Sequence, residues 1–184
     1  MALAVRLYDS LQRRLVALET LQPDRIGMYV CGPTPYAPAH IGHAYSAIAF
    51  DTIRRSLEFL GYAVRYVRNI TDVEDKIIRR AAERGVTPAE LTEDNIRAMH
   101  EDFAALGLLP PDQEPRATQY IPQMLDLIGL LQNKDLAYQS DADGDVVFAV
   151  RKFAGYGKLS GKSLDDLRAG ERVAVDASKR DPLD

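Results

Sequence analysis

Apolar residues near the N-terminus occur in short strand-like runs, and farther along the chain they recur with helical spacing. Residues 3–17 contain two strand-like runs joined by the polar stretch S-L-Q-R-R, which predicts a hairpin. The compact apolar run 26–31 ends at a Gly-Pro pair, which predicts a buried strand entering a loop. From His40 to Leu60 the apolar residues recur on one face, so a helix is expected there.

The order of the next elements predicts the fold class. A second strand-like run covers residues 63–70, and a helix is expected from about Asp72 to a stop at Gly85. Alternation of strands and helices in this order favours a parallel sheet with right-handed crossovers. The sequence therefore predicts an α/β protein.

The remaining pattern is mostly helical and ends in a second hairpin. Thr87 and Pro88 are typical of a helix start, and that helix is expected to reach about Leu106. An irregular connector and a helix over 118–133 follow. The strand-like runs on either side of D-A-D-G-D predict the hairpin. A short helix is expected in the polar tail, at S-L-D-D-L-R-A-G.

Composition adds bounds but no specific function. The 184 residues are 46% hydrophobic and 27% charged, with a net charge of −4, which suits one ordinary globular domain with a small insertion. This charge gives no global basic field, although a local patch can still bind RNA. One cysteine cannot form an intramolecular disulfide, and the N-terminus lacks a secretory pattern, so a cytoplasmic protein is expected. No apolar run approaches membrane-spanning length, and nothing indicates an oligomeric state.

The strongest chemical signal is the strand–loop–helix segment M-Y-V-C-G-P-T-P-Y-A-P-A-H-I-G-H. Ligands of open α/β sheets bind beyond the carboxyl ends of strands, where free N–H groups at helix N-termini attract phosphate. His40 and His43 stand at such a helix start, and Gly42 leaves room for a flat ring against its backbone. These residues predict a nucleotide site. The alternative is that one histidine caps the helix and the other is an ordinary surface group.

Several blocks together resemble the cysteinyl-tRNA synthetase family. They are M-Y-V-C-G-P-T, H-I-G-H, Y-V-R-N-I-T-D-V-E-D-K-I-I (66–78) and E-P-R-A-T (114–118), in the family's order and at about its spacing. The resemblance implies a class I synthetase with a Rossmann-like catalytic domain. Residues 1–110 would be the N-terminal hairpin and the first half of that domain, and residues 111–184 a truncated connective insertion of helices and a hairpin.

The resemblance also implies an activity. Family members make cysteinyl-adenylate from cysteine and ATP, with Mg²⁺ expected beside the ATP, and then transfer cysteine to tRNA(Cys). His40 and His43 match histidines that contact the ATP phosphates and stabilise the transition state, and Gly42 belongs to the same ATP-binding motif. The cysteine carboxylate is itself the nucleophile, so no covalent enzyme intermediate is needed.

The resemblance assigns the amino-acid pocket and a metal ligand. Cys31 matches the first ligand of a zinc ion that binds the substrate thiolate, and a soft sulfur ligand explains discrimination against serine. Gly32, Thr34 and Thr71 match the cysteine-binding residues. Taken outside the motif, Cys31 is also compatible with a small buried apolar residue, and Thr71 with a helix cap. Arg116 is compatible with tRNA contact or with an ion pair to Glu114.

Departures from the family pattern keep other functions open. Pro35, Ala37 and Tyr45 replace the residues usual in the loop and just after H-I-G-H. The cysteine ligase of the mycothiol pathway, which joins cysteine to an amino-sugar, shares the proline and also lacks the usual arginine. A truncated paralogue without catalysis is a third hypothesis.

The family's other zinc ligands, its second ATP-binding loop and its anticodon-binding domain are expected beyond residue 184. The 184-residue chain by itself is therefore expected not to activate cysteine.

Overall fold

A computed structural model describes residues 5–140, 144–164 and 179–184. These residues belong to two compact units, one formed by Glu19–Ile121 and the other by Ala4–Leu18 together with Pro122–Asp184. Every candidate site residue lies in the unit Glu19–Ile121. The predicted division of the chain at residue 110 stays a prediction about domains.

The second unit contains both predicted hairpins. Strands β1 (Arg6–Asp9) and β2 (Arg14–Ala17) pair antiparallel, in agreement with the pattern of residues 3–17. Arg13 turns the chain between them with a φ of 54°.

The first unit is built on a pair of parallel strands connected by a helix. Strand β3 (Arg25–Val30), helix α1 (Ile41–Phe59) and strand β4 (Ala63–Arg68) follow one another, and β3 and β4 pair in parallel from end to end. Val30 is the register partner of Arg68, so the carboxyl ends of the two strands lie side by side. The predicted α/β class with a parallel sheet is confirmed.

Helix α2 (Asp75–Arg84) starts later than the expected position near Asp72. The side chain of Glu74 accepts a hydrogen bond from the Lys76 N–H and caps the helix. Asp72 is not free to cap it, because its carboxylate accepts the Thr118 N–H at 2.9 Å. Gly85 ends the helix with a φ of 66°, a left-handed conformation that glycine adopts without steric cost.

Helix α3 (Pro88–Ala105) has the predicted start. The Thr87 hydroxyl accepts from the Glu90 N–H, and the Glu90 carboxylate accepts from the Thr87 N–H, which completes a capping box. One face of α3 is buried in the core of this unit. Fully or nearly buried side chains there are Ile70, Ile96, Met99 and Phe103, with a second cluster of Ile77, Ala81 and Leu91.

The connector after α3 is not wholly irregular, because its end pairs alongside β4. The Arg68 N–H donates to the Gln113 carbonyl at 3.1 Å, and the Ile70 N–H donates to the Pro115 carbonyl at 2.9 Å. Two parallel β-bridges join the segments, one between Val67 and Gln113 and one between Ile70 and Arg116. Arg54 of α1 anchors the connector by donating to the Pro110 carbonyl at 2.8 Å. Residues 113–116 thus extend the sheet beyond β4.

The chain then enters the second unit at Pro122. A 3₁₀ turn (Ala117–Tyr120) leads into helix α4 (Ile121–Asn133), in agreement with the helix expected over 118–133. Strands β5 (Ala137–Gln139) and β6 (Val146–Phe148) pair antiparallel and confirm the second hairpin. The short helix expected at S-L-D-D-L-R-A-G falls largely on residues 165–170, which lie outside the described residues. None of the described helices is long and apolar enough to cross a membrane.

Candidate active site at the carboxyl ends of β3 and β4

A cavity of about 320 Å³ opens where β3 and β4 end. Its wall includes Cys31, Gly32 and Thr34 from the loop after β3, and His43 from the first turn of α1. The ends of parallel strands and the N-terminus of the crossover helix meet here, which is where α/β proteins bind ligands. The structure therefore gathers these predicted site residues around one space.

Hydrogen bonds fix the loop after β3 to the segment after β4. The Gly32 N–H donates to Asn69 Oδ1 at 2.9 Å, and the Thr71 N–H donates to the Pro33 carbonyl at 3.1 Å. A Cβ on residue 32 would overlap the carbonyl oxygen of Asn69, so only glycine fits without a backbone shift. Thr71 is not part of the cavity wall. It does not cap α2 either, since Glu74 does so.

The two histidines form a capping box at the start of α1. His40 Nδ1 accepts the Gly42 N–H at 3.0 Å, and His43 Nδ1 accepts the His40 N–H at 3.2 Å. Their ring centroids are 4.0 Å apart. A nitrogen that accepts a hydrogen bond carries no proton, so each neutral ring has its proton on Nε2. Helix capping and anion binding are therefore compatible here, because each function uses a different ring nitrogen.

Only one histidine of the pair borders the main cavity. His43 lines it, whereas His40 lines a separate, open depression between α1 and the end of α3. Gly42 lies between them, and its N–H is already bound to His40. Of the two histidines that the sequence predicts to face one anion, the structure therefore places only His43 at this cavity.

Burial makes the charged form of His43 unfavourable. The pKa of His43 lies below its ordinary value, chiefly because the ring is partly removed from water and secondarily because His40 is adjacent. Protonation would also place a hydrogen on Nδ1 and break the bond from the His40 N–H. His43 is consequently a neutral Nε2–H donor at neutral pH.

The lowered pKa of His43 predicts a pH-dependent stability. Between that pKa and about 6.5 the unfolded chain binds more protons than the folded one, so the free energy of unfolding rises with pH. This stabilisation is complete above about pH 6.5 and is lost as the pH falls through the pKa of His43. Thermal melts between pH 5 and 7.5 test this, and His43→Ala is expected to flatten that part of the profile. A slope identical in wild type and His43→Ala would contradict the prediction.

Cys31 is exposed at the rim of the cavity. The interpretation of this residue as a buried apolar side chain is therefore wrong. Among the described residues, no group of three or more His, Cys, Asp or Glu side chains is arranged to hold a metal ion. Cys31 fits one zinc ligand by its chemistry, but the described residues do not complete a zinc site around it.

Several cavity-lining residues were not singled out from the sequence. Tyr66 and Arg68 project from β4, and Lys76 projects from the first turn of α2 with its ammonium 5.9 Å from the centroid of the Tyr36 ring. Residues 66 and 68 share one face of a strand, which was a usable signal. Burial raises the pKa of Tyr66, so its hydroxyl stays protonated.

Arg68 is held in the cavity wall by neighbouring charges. Its guanidinium donates to the Glu114 carboxylate at 2.7 Å and lies 5.0 Å from the centroid of the Phe103 ring. His100 contacts the other carboxylate oxygen of Glu114 at 2.6 Å. Arg116 does not pair with Glu114, as one hypothesis held; it forms a hydrogen-bonded ion pair with Glu93 of α3.

The residues that depart from the family pattern have distinct surroundings. Pro35 is buried, and its carbonyl accepts a hydrogen bond from Asn95 Nδ2 at 2.9 Å. Ala37 is half-buried, and Tyr45 is 77% exposed on α1. The bond from Asn95 to Pro35 therefore holds the loop against α3, whereas the Tyr45 side chain lies mostly in solvent.

Comparison with known families identifies the class of this domain. Residues 17–184 match a family model described as the tRNA synthetases class I (C) catalytic domain. Because the match covers most of the chain, the chain belongs to this family of class I synthetase catalytic domains.

Individual relatives are more specific. The chain is 58% identical over 182 residues to the cysteine–tRNA ligase of Delftia acidovorans, which covers 99% of this chain and 39% of that protein. The identity to the cysteine–tRNA ligase of Variovorax paradoxus is 59% over 182 residues, with the same shares. The chain thus spans about 39% of the length of these curated relatives. The resemblance to the cysteinyl-tRNA synthetase family is confirmed.

Solved structures of class I synthetases have a similar fold. A methionyl-tRNA synthetase of Mycobacterium tuberculosis, in complex with methionyl-adenylate, aligns with a TM-score of 0.56 and 25% identity over 67% of this chain and 26% of that one. The LeuRS of Agrobacterium radiobacter K84, in a ternary complex with tRNA and LeuAMS, aligns with a TM-score of 0.57 and 23% identity over 79% of this chain and 20% of that one. The second likeness concerns the fold alone.

Proposed function

We propose that the protein carrying these residues is a cysteine–tRNA ligase. It would activate cysteine with ATP to give cysteinyl-adenylate and pyrophosphate, and then transfer cysteine to tRNA(Cys). The main support is one arrangement: a thiol, a threonine hydroxyl and a neutral histidine, from Cys31, Thr34 and His43, border one cavity at the ends of two parallel strands. The similarity to cysteine–tRNA ligases supports the same proposal.

In this proposal the first turn of α1 binds ATP, which enters with Mg²⁺. The cysteine carboxylate attacks the α-phosphorus, the bond to the β-phosphate oxygen breaks, and pyrophosphate leaves. His43 would donate its Nε2–H to phosphate oxygens on which charge collects in the transition state. His40 fixes the His43 ring through its backbone N–H, lies with its ring centroid 4.0 Å from that of His43, and would add a second Nε2–H donor. Gly42 keeps the approach to this turn open.

The loop after β3 would bind the amino acid. Gly32 and Thr34 border the cavity, and Thr71 holds the loop from behind through its bond to the Pro33 carbonyl. We propose Cys31 as one zinc ligand, with the others contributed from outside the described residues. Zinc bound there would recognise the substrate thiol.

Metal analysis of the purified protein and of its Cys31→Ser variant tests this ligand. Equal zinc content in both would reject it.

Cysteine-dependent ATP–pyrophosphate exchange tests the proposed function. We expect exchange that requires cysteine and is lost in His40→Ala. Exchange is expected of the full-length protein that carries these residues, whereas the 184-residue chain by itself, assayed with zinc, is expected to show none. Exchange driven equally well by serine, or unaffected in His40→Ala, would contradict the proposal.

The acceptor distinguishes this function from the alternative of an amino-sugar ligase. The comparisons do not favour that alternative, since the curated relatives given above are cysteine–tRNA ligases. Supplying the protein with tRNA(Cys) or with an amino-sugar acceptor separates the two, and we expect transfer to tRNA only. A non-catalytic role would appear as nucleotide binding without exchange. A cytoplasmic location belongs to the same proposal.

A further inference from the structure

Asn69 lies directly after β4 and connects the two loops that surround the cavity. Its Oδ1 accepts the Gly32 N–H at 2.9 Å, and its Nδ2 donates to Thr71 Oγ1 at 3.3 Å. Thr71 in turn donates its N–H to the Pro33 carbonyl at 3.1 Å. These bonds form a closed connection from the loop after β3 to the segment after β4.

Asn69 contacts Gly32 with both its side chain and its main-chain carbonyl. The Asn69 side chain binds the Gly32 N–H, and the Asn69 main-chain carbonyl faces the Gly32 Cα so closely that no Cβ fits. Gly32 and Pro33 are wall residues of the cavity, and they lie between Cys31 and Thr34. Asn69 itself does not border the cavity. It can therefore affect a ligand only through the loop that it holds.

We propose that Asn69 is the positioning residue of the amino-acid pocket, and that it sets the cysteine affinity by fixing the loop Cys31–Thr34 through the Gly32 N–H. This inference rests on the proposed function, in which that loop binds cysteine. A functional site needs its binding groups held within a fraction of an ångström by residues behind them. The ATP-binding turn of α1 is held by its own capping box and does not depend on Asn69.

Two substitutions separate the acceptor role of Asn69 from simple packing. In the full-length protein, Asn69→Ala is expected to raise the KM for cysteine about tenfold, because the bond to the Gly32 N–H, of ordinary hydrogen-bond strength, no longer fixes the loop. The substitution also removes the bond to Thr71 Oγ1. The KM for ATP should stay within about twofold, because its proposed binding residues keep their contacts. Asn69→Asp is nearly isosteric and retains an oxygen for the Gly32 N–H, and the Thr71 hydroxyl can reverse to donate to it. Asn69→Asp is therefore expected to restore the KM for cysteine to within about threefold of wild type.

Hydrogen exchange provides a readout that does not require activity. The Gly32 amide should exchange about tenfold faster in Asn69→Ala than in wild type, and at close to the wild-type rate in Asn69→Asp. A normal thermal melt confirms that each variant is folded. Unchanged cysteine KM in folded Asn69→Ala, an equal rise of both KM values, or no rescue by Asn69→Asp would overturn the inference. Absence of cysteine-dependent ATP–pyrophosphate exchange in the full-length wild-type protein would reject the proposed function, and the hydrogen-exchange rate of the Gly32 amide would then decide alone whether Asn69 fixes the loop.

Discussion

Replacing His43 by glutamate is expected to abolish cysteine activation while leaving the fold intact. Glutamate is a preferred residue at the third position of a capping box, where its carboxylate can accept the His40 N–H as His43 Nδ1 now does. It cannot donate to phosphate, and its charge repels the triphosphate. Loss of one donor aimed at a developing anion costs about 10²–10³ in rate, so His43→Glu should lower exchange at least that far.

His43→Ala is the matched variant, because it removes both the Nε2–H donor and the acceptor of the His40 N–H. It should lose activity by about 10²–10³ without added repulsion, and it should lose about 1 kcal/mol of stability with the hydrogen bond from the His40 N–H. The two variants are therefore expected to rank in opposite orders for stability and for activity: His43→Glu should be more stable than His43→Ala but less active. Pyrophosphate exchange and thermal melts measure both orders. Substantial activity in His43→Glu would show that His43 does not contact the phosphates.

The framework of the first unit could be predicted from local patterns. Apolar runs and punctuation by glycine and proline located β3, α1 and β4, and their order predicted the parallel pairing. Thr87 and Pro88 located the start of α3, because a cap and a first-turn proline are local chemical requirements. The sequence could not show that the H-I-G-H segment can serve as a helix cap and as an anion site at the same time. The sequence suggested either a cap or an anion site, and the geometry allows both through different ring nitrogens.

The features that were missed depend on partners distant in the sequence. Helix α2 starts after Glu74 and not near Asp72, because Thr118, 46 positions away, occupies the Asp72 carboxylate. Arg116 pairs with Glu93 only because residues 113–116 lie parallel to β4 and near α3. No local pattern contains this information.

The cavity shows the same division between local and distant signals. Tyr66 and Arg68 could have been found from strand alternation once β4 was located. Phe103 comes from a helix whose packing the sequence does not specify. The role of Asn69 likewise could not be predicted without the strand register, which places the carboxyl ends of β3 and β4 side by side.

Replacing Gly32 by alanine is expected to have the largest effect on the loop. Gly32 needs no unusual φ, so the cost is steric: the new Cβ would overlap the main-chain carbonyl oxygen of Asn69, which cannot rotate away as a flexible side chain would. Overpacking typically costs about 1–3 kcal/mol, and a clash with backbone lies at the upper end of that range. Separation of the two strand ends would also break the bond from the Gly32 N–H to Asn69.

Gly27→Ala is the control for this substitution, because Gly27 lies in β3, the strand that leads into the loop, and a Cβ there meets nothing within 4 Å. Its stability should stay within about 0.5 kcal/mol of wild type or improve slightly. Denaturant unfolding of both variants measures the difference, and cysteine saturation of pyrophosphate exchange shows whether the loop still binds substrate. Equal stability of Gly32→Ala and Gly27→Ala would mean that the loop relaxes away from Asn69 without cost, and that the ends of β3 and β4 are not rigidly held together. A large loss confined to Gly32→Ala, with cysteine binding impaired at temperatures where the variant is still folded, would indicate that the close approach of Gly32 to Asn69 builds the amino-acid side of the cavity.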